Sequence, residues 1–376
     1  MAEFTLSEWG GAQVEHNSNV FEVADRKESL LQNGTPEVAD TIARYQGGGQ
    51  LEWRVGQQRL LAVAEGAKVQ YRQFEQLDHY EHHWGGQFDW KLSDIVDGQV
   101  EYRDDRRLAS FADVDTSVLT LQTDRAALAS LNVLVAPSWR VETGAQRHES
   151  KLPLPNAREF KLTEDSGHVG VKYVGADKLS AGLVAEGARG EYSGLAAAST
   201  YDQYGLKLAA NYVVSDLSKL ESELGAVQRT EHATSGAIAG DDQKVTELEG
   251  KLAYKRELSG KTSTELELFR RVESYVAGAN ALVDTGLAAA LSWKPTDKIV
   301  VNGRAGWSQS AFKTGAESSQ GRKDEYLHAN LEVSYRALDW LLWRAFSEYR
   351  DRNSNIRNED FAVTVGGLEL RLQFQQ

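Results

Sequence analysis

The chain has 376 residues, with 42 Lys and Arg against 55 Asp and Glu for a formal net charge of −13, and no cysteine. Disulfides, Cys-based zinc sites and thiol chemistry are therefore excluded, and the acidic balance argues against a nucleic-acid binder. Nowhere is there an apolar run of about 18 residues, the length a membrane-spanning helix needs, and Met1-Ala2-Glu3 is expected to be a mature or engineered start rather than a basic-then-apolar leader.

In chain order, segments of about ten residues alternate apolar and polar side chains, the period that puts one set on each face of a strand. Many end in an aromatic followed by a tight-turn signal. Trp53 precedes Gly56-Gln57, Trp90 precedes Ser93-Asp94, Tyr173 precedes Ala176-Asp177 and Tyr212 precedes Ser215-Asp216, while Val135 before Ala136-Pro137 fills the slot that lacks an aromatic. Tyr254 then precedes Ser259-Gly260, Trp293 precedes Pro295-Thr296-Asp297 and Tyr335 precedes Leu338-Asp339, with Phe374 one period later. Successive markers lie about forty residues apart, the length of two strands, one short turn and one longer loop. The longer connections are expected at Glu22 to Glu37, Asp104 to Thr116, Glu149 to Asn156, Glu231 to Asp242, Thr314 to Lys323 and Arg352 to Asp360.

Short turns and long loops therefore alternate. Eight of the one and nine of the other predict eighteen strands, with sixteen as the alternative, in a single domain over residues 1–376. Soluble sandwiches, propellers and solenoids share the alternation, but they need a dry core. Here Leu248, Gly250, Leu252 and Tyr254 face away from Glu247, Glu249 and Lys251, and Leu368, Leu370, Leu372 and Phe374 away from Glu369, Arg371 and Gln373. One face is charged along its whole length. A closed sheet with lipid outside and water inside satisfies both faces, so the fold class is all-β: a transmembrane antiparallel β-barrel of a Gram-negative outer membrane, with periplasmic turns and extracellular loops.

Trp53, Trp90, Tyr173, Tyr212, Tyr254, Trp293, Tyr335 and Phe374 are then a periplasmic aromatic girdle, where a flat apolar ring with a polar group suits the interface. Charged residues on the opposite parity are candidates to line an aqueous lumen and carry transport. They are Glu101, Arg103, Arg140, Glu142, Glu221, Glu223, Glu247, Glu249, Lys251, Glu265, Glu267, Arg304, Glu332, Arg344, Glu348, Arg350, Glu369 and Arg371. Between the twelfth and thirteenth strands, alternation places Lys251 or Lys255 beside Glu265 or Glu267, and Arg271 near Glu247 or Glu249. Phe269 and Phe346 are the aromatics of inward parity.

The stretch His16-Asn17-Ser18-Asn19-Val20-Phe21, Gly56-Gln57-Gln58-Arg59-Leu60 at the first turn, Leu77-Asp78-His79-Tyr80, and Gly98-Gln99-Val100-Glu101-Tyr102 with Phe111-Ala112-Asp113 resemble the EpsL-type exopolysaccharide-operon proteins, within the β-barrel porin class. Trp293-Lys294-Pro295-Thr296 and Tyr349-Arg350-Asp351-Arg352-Asn353-Ser354-Asn355 extend the resemblance to nearly the whole chain, although Gln375-Gln376 follow Phe374 where such barrels usually end on the aromatic. The resemblance implies an outer-membrane conduit for a secreted exopolysaccharide. Its implied partners are the polymer, a periplasmic polysaccharide export protein and an inner-membrane synthesis system, with membrane lipid and lipopolysaccharide around the barrel and no cofactor.

The rival functions are a general or nutrient-uptake porin, distinguished by a folded-in loop that narrows the bore, an outer-membrane enzyme, and an adhesin with a plugged lumen. No catalytic residue and no metal site is expected. In His79-Tyr80-Glu81-His82-His83, strand geometry turns His82 away from Glu81 and His83, and the helical His-Glu-x-x-His spacing is absent. Asp104-Asp105-Arg106-Arg107 and Asp113-Val114-Asp115 are placed in a long loop, where calcium or lipopolysaccharide could bind.

Overall fold

The computed structural model describes residues 2–114, 118–154, 158–175, 178–194, 199–233, 242–275, 280–313 and 321–375. Alternating side chains over runs of 13 to 18 residues make eighteen strands among them. In chain order these are β1 (Ala2–Asn17), β2 (Asp40–Val55), β3 (Gln58–Tyr71), β4 (His79–Lys91), β5 (Val96–Leu108) and β6 (Leu121–Ala136). They continue as β7 (Trp139–Leu154), β8 (Arg158–Gly175), β9 (Leu179–Ser193), β10 (Ser199–Ser215), β11 (Ser218–Ala233) and β12 (Gln243–Ser259). The last six are β13 (Thr262–Tyr275), β14 (Asn280–Thr296), β15 (Ile299–Phe312), β16 (Lys323–Leu338), β17 (Leu341–Ser354) and β18 (Phe361–Gln375).

Each strand pairs antiparallel with its sequence neighbours, and β1 also pairs with β18, from Ser7 opposite Gln375 to Asn17 opposite Val365. The sheet is a closed barrel. Closure removes the two free edges, so each strand has a neighbour on both sides within the wall. The turn expected at Ala176-Asp177 lies outside the described residues, as do Asp115 and parts of the loops after β7, β11 and β15.

The outer face carries two aromatic belts. Trp53, Trp90, Tyr173, Tyr212, Tyr254, Trp293, Tyr335 and Phe374 share the outward parity of the lower one, and Trp139 contacts Tyr173 edge-on at 5.3 Å, supplying the ring that Val135 did not. Tyr45, Trp84, Tyr102, Tyr204, Trp307 and Tyr349 form the upper one. On β2 the belts are eight residues apart, roughly 20 Å vertically for a tilted strand, close to the height of an outer-membrane apolar band.

Because about ten residues suffice to cross, the strands project beyond the membrane. This corrects the bounds of several expected loops: Asp104 to Leu108 belong to β5, Glu149 to Leu154 to β7, Glu231 to Ala233 to β11 and Arg352 to Ser354 to β17, and Lys323 opens β16. On this projecting wall the outward register Trp84, Asp104, Arg125, Glu149 continues the lipid-facing parity with charge instead of apolar groups. Asp104 accepts from His82 Nε2 at 2.8 Å and Arg125 Nε at 2.6 Å, and Glu149 meets Lys161 at 2.9 Å. His82 therefore faces outward, while His83 pairs with Asp105 on the inner face.

Candidate functional site: the lumen and its folded-in mouth

At the extracellular end the inner wall ceases to be polar. Ile42, Val69 and Tyr71 on β2 and β3 are buried there with Val20, Phe21 and Val23 of the β1–β2 loop, Phe74 and Leu77 of the β3–β4 loop, and Phe111 of the β5–β6 loop. Phe21 sits edge-on to Phe74 at 4.7 Å and to Phe111 at 5.3 Å. Three loops thus fold into the mouth and bury apolar side chains against the inside of the wall, as exclusion from water requires. On the other side of this plug, Phe361, Val363 and Val365 of β18 are buried with Ala112 and Phe346 packed against them.

Polar contacts fix the loops. Asp40, 1% exposed, accepts from the N–H groups of Gln73 and Phe74 at 3.0 Å, and Asn19 Nδ2 donates to Val23 O at 2.8 Å and across to Ala362 O at 3.2 Å. Glu22 has φ 52, in the left-handed region that non-glycine residues seldom occupy. Its carboxylate accepts from Arg350 at 2.6 Å, from the Ser110 hydroxyl and from the Ala112 N–H, which ties the plug to β17.

A second intrusion comes from β13 and β14. The β12–β13 ladder runs from Ser259 opposite Thr262 to Gly250 opposite Arg270 and stops there. Both strands continue: β12 remains paired to β11 as far as Gln243, and β13 to β14 as far as Tyr275. Above Gly250 the wall has a seam, closed by side chains. Glu249 accepts the Val272 N–H at 2.8 Å, and Arg270 donates to Leu248 O at 3.2 Å and to Glu247 at 2.5 Å. The freed hairpin leans inward until Ser274 meets Tyr201 of β10 at 3.1 Å and Arg229 of β11 at 2.8 Å. Arg229 lies 3.4 Å over the Tyr201 ring, and both side chains are almost fully buried.

Below the intrusions the wall is charged, and the register puts all eighteen candidate lumen residues on the inner face. Glu101 accepts from Gln99 at 3.1 Å, and Arg103 lies 3.8 Å from Asp105. Arg140 meets Asp97 at 3.7 Å and Glu142 meets Lys172 at 3.6 Å. Lys255 bridges Glu221 at 2.9 Å and Glu265 at 3.9 Å, and Lys251 meets Glu267 at 3.7 Å, in the expected pairing. Arg344 bridges Glu332 and Glu369, and Glu369 also holds Arg371 at 3.0 Å. Glu348 joins Arg350 at 2.8 Å, whereas Glu223 and Arg304 make no ion pair among the described residues.

One expected pairing is corrected. Arg271 meets Glu273 at 2.5 Å and Asp284 at 3.3 Å rather than Glu247 or Glu249, which are engaged across the seam by Arg270 and by the Val272 N–H. Glu247 takes Lys313 at 2.8 Å, and Glu249 takes Lys207 at 2.8 Å. Inward aromatics are also more numerous than parity in the clearest strands indicated. Trp9, Tyr192 and Tyr201 join Phe269 and Phe346, and each had been hidden by sitting in a strand end or in a weakly alternating strand. Among the described residues no group of three or more His, Asp or Glu side chains is placed to hold a metal ion.

The chain is similar in structure to OccK2 (OpdF) of Pseudomonas aeruginosa, over 99% of this chain and 98% of that one, at 11% identity and a TM-score of 0.50. It is similar to the copper transporter OprC over 98% of this chain and 80% of that one, at 9% identity and a TM-score of 0.53. The FrpB iron transporter of Neisseria meningitidis matches 94% of this chain and 64% of that one, at 8% identity and a TM-score of 0.54. The fold is that of an outer-membrane barrel. No family model matches the chain, and no curated protein matches its sequence, so the resemblance to exopolysaccharide-operon proteins rests on the short stretches that suggested it.

Proposed function

We propose that the protein is an outer-membrane channel that passes small polar solutes, with no enzymatic step. The observation that carries this reading is the mouth: three loops and the β13–β14 hairpin occupy the extracellular end of a bore whose lower wall is polar and charged. A polar wall lets a solute exchange its water for carboxylate and guanidinium contacts, while an apolar plug limits what enters by size. In a planar bilayer the purified protein is expected to conduct ions in discrete steps. Removing residues 19–37 of the β1–β2 loop, which include Val20, Phe21 and Val23, should raise unit conductance, and an unchanged conductance would show that the plug does not set the bore.

The second reading is the exopolysaccharide conduit, with a periplasmic export protein and an inner-membrane synthesis system as its partners. The continuous charged inner wall favours it, because many weak contacts let a polymer advance without being held. Loss of surface polymer on deletion of the protein, with small-solute uptake intact, would raise this reading above the first. Normal surface polymer would remove it.

A further inference from the structure

Several inward rings lie against glycine. A Cβ on Gly48 would come within 2.7 Å of the Trp9 ring, one on Gly367 within 2.6 Å of Phe346, and one on Gly286 within 2.8 Å of Phe269. A missing Cβ lets a ring lie close on the wall instead of standing into the bore, and Trp9 stays partly exposed there. Each of these rings also has a guanidinium over it: Arg371 at 5.9 Å from the Trp9 centroid, Arg344 at 5.6 Å from that of Phe346 and Arg271 at 4.5 Å from that of Phe269.

Around Trp9 the arrangement is most complete. Trp9 stands opposite Gly48 of β2 and Gln373 of β18, between the levels of the two outer aromatic belts, well below the plug. Glu369, 2% exposed, receives Gln46 at 2.7 Å, Arg371 at 3.0 Å and Arg344, so a buried carboxylate locks two guanidinium groups that remain partly exposed. Arg344 reaches on to Glu332 at 3.2 Å and to Gln13 at 3.4 Å. The indole Nε1 of Trp9 and the Nε of Arg344 are buried and have no hydrogen-bond partner among the described residues.

We propose that Trp9, Arg371, Arg344 and Glu332 form a binding station for a neutral pyranose sugar in the middle of the bore. A sugar ring has one apolar face of C–H groups, which fits an indole face, and a rim of hydroxyls that both donate and accept. The station supplies guanidinium donors and a partly exposed carboxylate acceptor beside the ring. Two arginines are balanced by Glu332 and Glu369, so the site has no net charge. That favours a neutral hydroxylated ring over an anion, for which uncompensated cations would serve better. Glu369 is a positioning residue: its oxygens are occupied by the groups it holds.

The inference rests on the channel reading, and the experiment separates the two. Maltohexaose is titrated into detergent-solubilised, heat-modifiable protein by calorimetry, and in parallel added to single channels in a bilayer. The expected result is saturable binding and transient blockade in the wild type. Trp9→Ala should weaken both by about tenfold, the loss of one ring contact, and Trp9→Phe should fall in between. Trp343→Phe, on the outer face, should change neither and controls for general loss of an aromatic. Arg371→Gln should also weaken binding, with the barrel still folded and heat-modifiable on gels. Conduction with no maltohexaose binding, or binding indifferent to Trp9 in folded barrels, overturns the station and leaves the channel standing. Binding that depends on Trp9 in a protein that never conducts overturns the channel reading alone.

Discussion

Glu22 holds an uncommon backbone conformation because three partners determine it together: Arg350, Ser110 and Ala112. A left-handed non-glycine residue costs of order 1–3 kcal/mol and persists where its surroundings compensate. Glu22→Gly removes the conformational cost and the contacts together, whereas Glu22→Ala removes only the contacts. If the carboxylate holds the plug, both variants loosen it, with Ala the worse, and limited proteolysis within residues 24–36 becomes faster in both. Protection unchanged in Glu22→Ala would show that the apolar contacts of Phe21, Phe74 and Phe111 suffice. None of this was legible beforehand. The stretch from Ser18 to Val38 has no period of two or of 3.6, so its apolar residues gave no sign of which surface they would cover. Trp9 was hidden differently: the lipid-facing parity of β1 carries Glu8 beside Phe374, which blurs the contrast between the two faces.

At the scale of elements, alternation revealed the strands well because lipid and water impose opposite demands on adjacent residues all the way across. It failed where strands leave the membrane. There Asp104, Arg125 and Glu149 occupy outward positions and Ile42, Val69 and Val363 inward ones, so the polarity rule inverts while pairing continues. The seam was equally invisible, because Val245 to Gly250 alternate as well as any segment in the chain. Its presence can be tested directly, since the chain has no native cysteine. A Leu252→Cys/Leu268→Cys pair lies in register and should cross-link on mild oxidation, because facing strand residues are close enough for a disulfide. The Thr246→Cys/Ser274→Cys pair would be the fourth pair above Arg270 in a continuous ladder, but Ser274 is instead held at Arg229. It should cross-link at least tenfold more slowly, by about the margin that a local opening of ~1.4 kcal/mol imposes. Equal rates would mean that the ladder closes in solution.

Over the whole molecule, charge is distributed so that opposite signs neighbour each other around the bore, and no single pair dominates the field. Charges in a confined passage act on mobile ions more strongly than exposed ones do. Glu265→Gln combined with Glu267→Gln leaves Lys251 and Lys255 with fewer anionic neighbours. The reversal potential in a KCl gradient should then shift toward anion preference by several millivolts, with unit conductance changed by less than about twofold, as expected for a distributed field. An unchanged reversal potential would place the selectivity-determining section elsewhere, at the plug or the hairpin.

The contacts that seat the plug also join the two ends of the chain. Asn19 reaches Ala362 across 343 residues of sequence, and Glu22 reaches Arg350 across 328. Contacts of such separation are the last to become available to a growing or inserting chain, because their partners do not exist in place until the final hairpin arrives. The narrowing of the mouth is therefore a record of completed assembly. A barrel still missing β17 and β18 lacks both the wall that closes it and the Arg350 and Ala362 anchors of its plug, so an unfinished intermediate would leak.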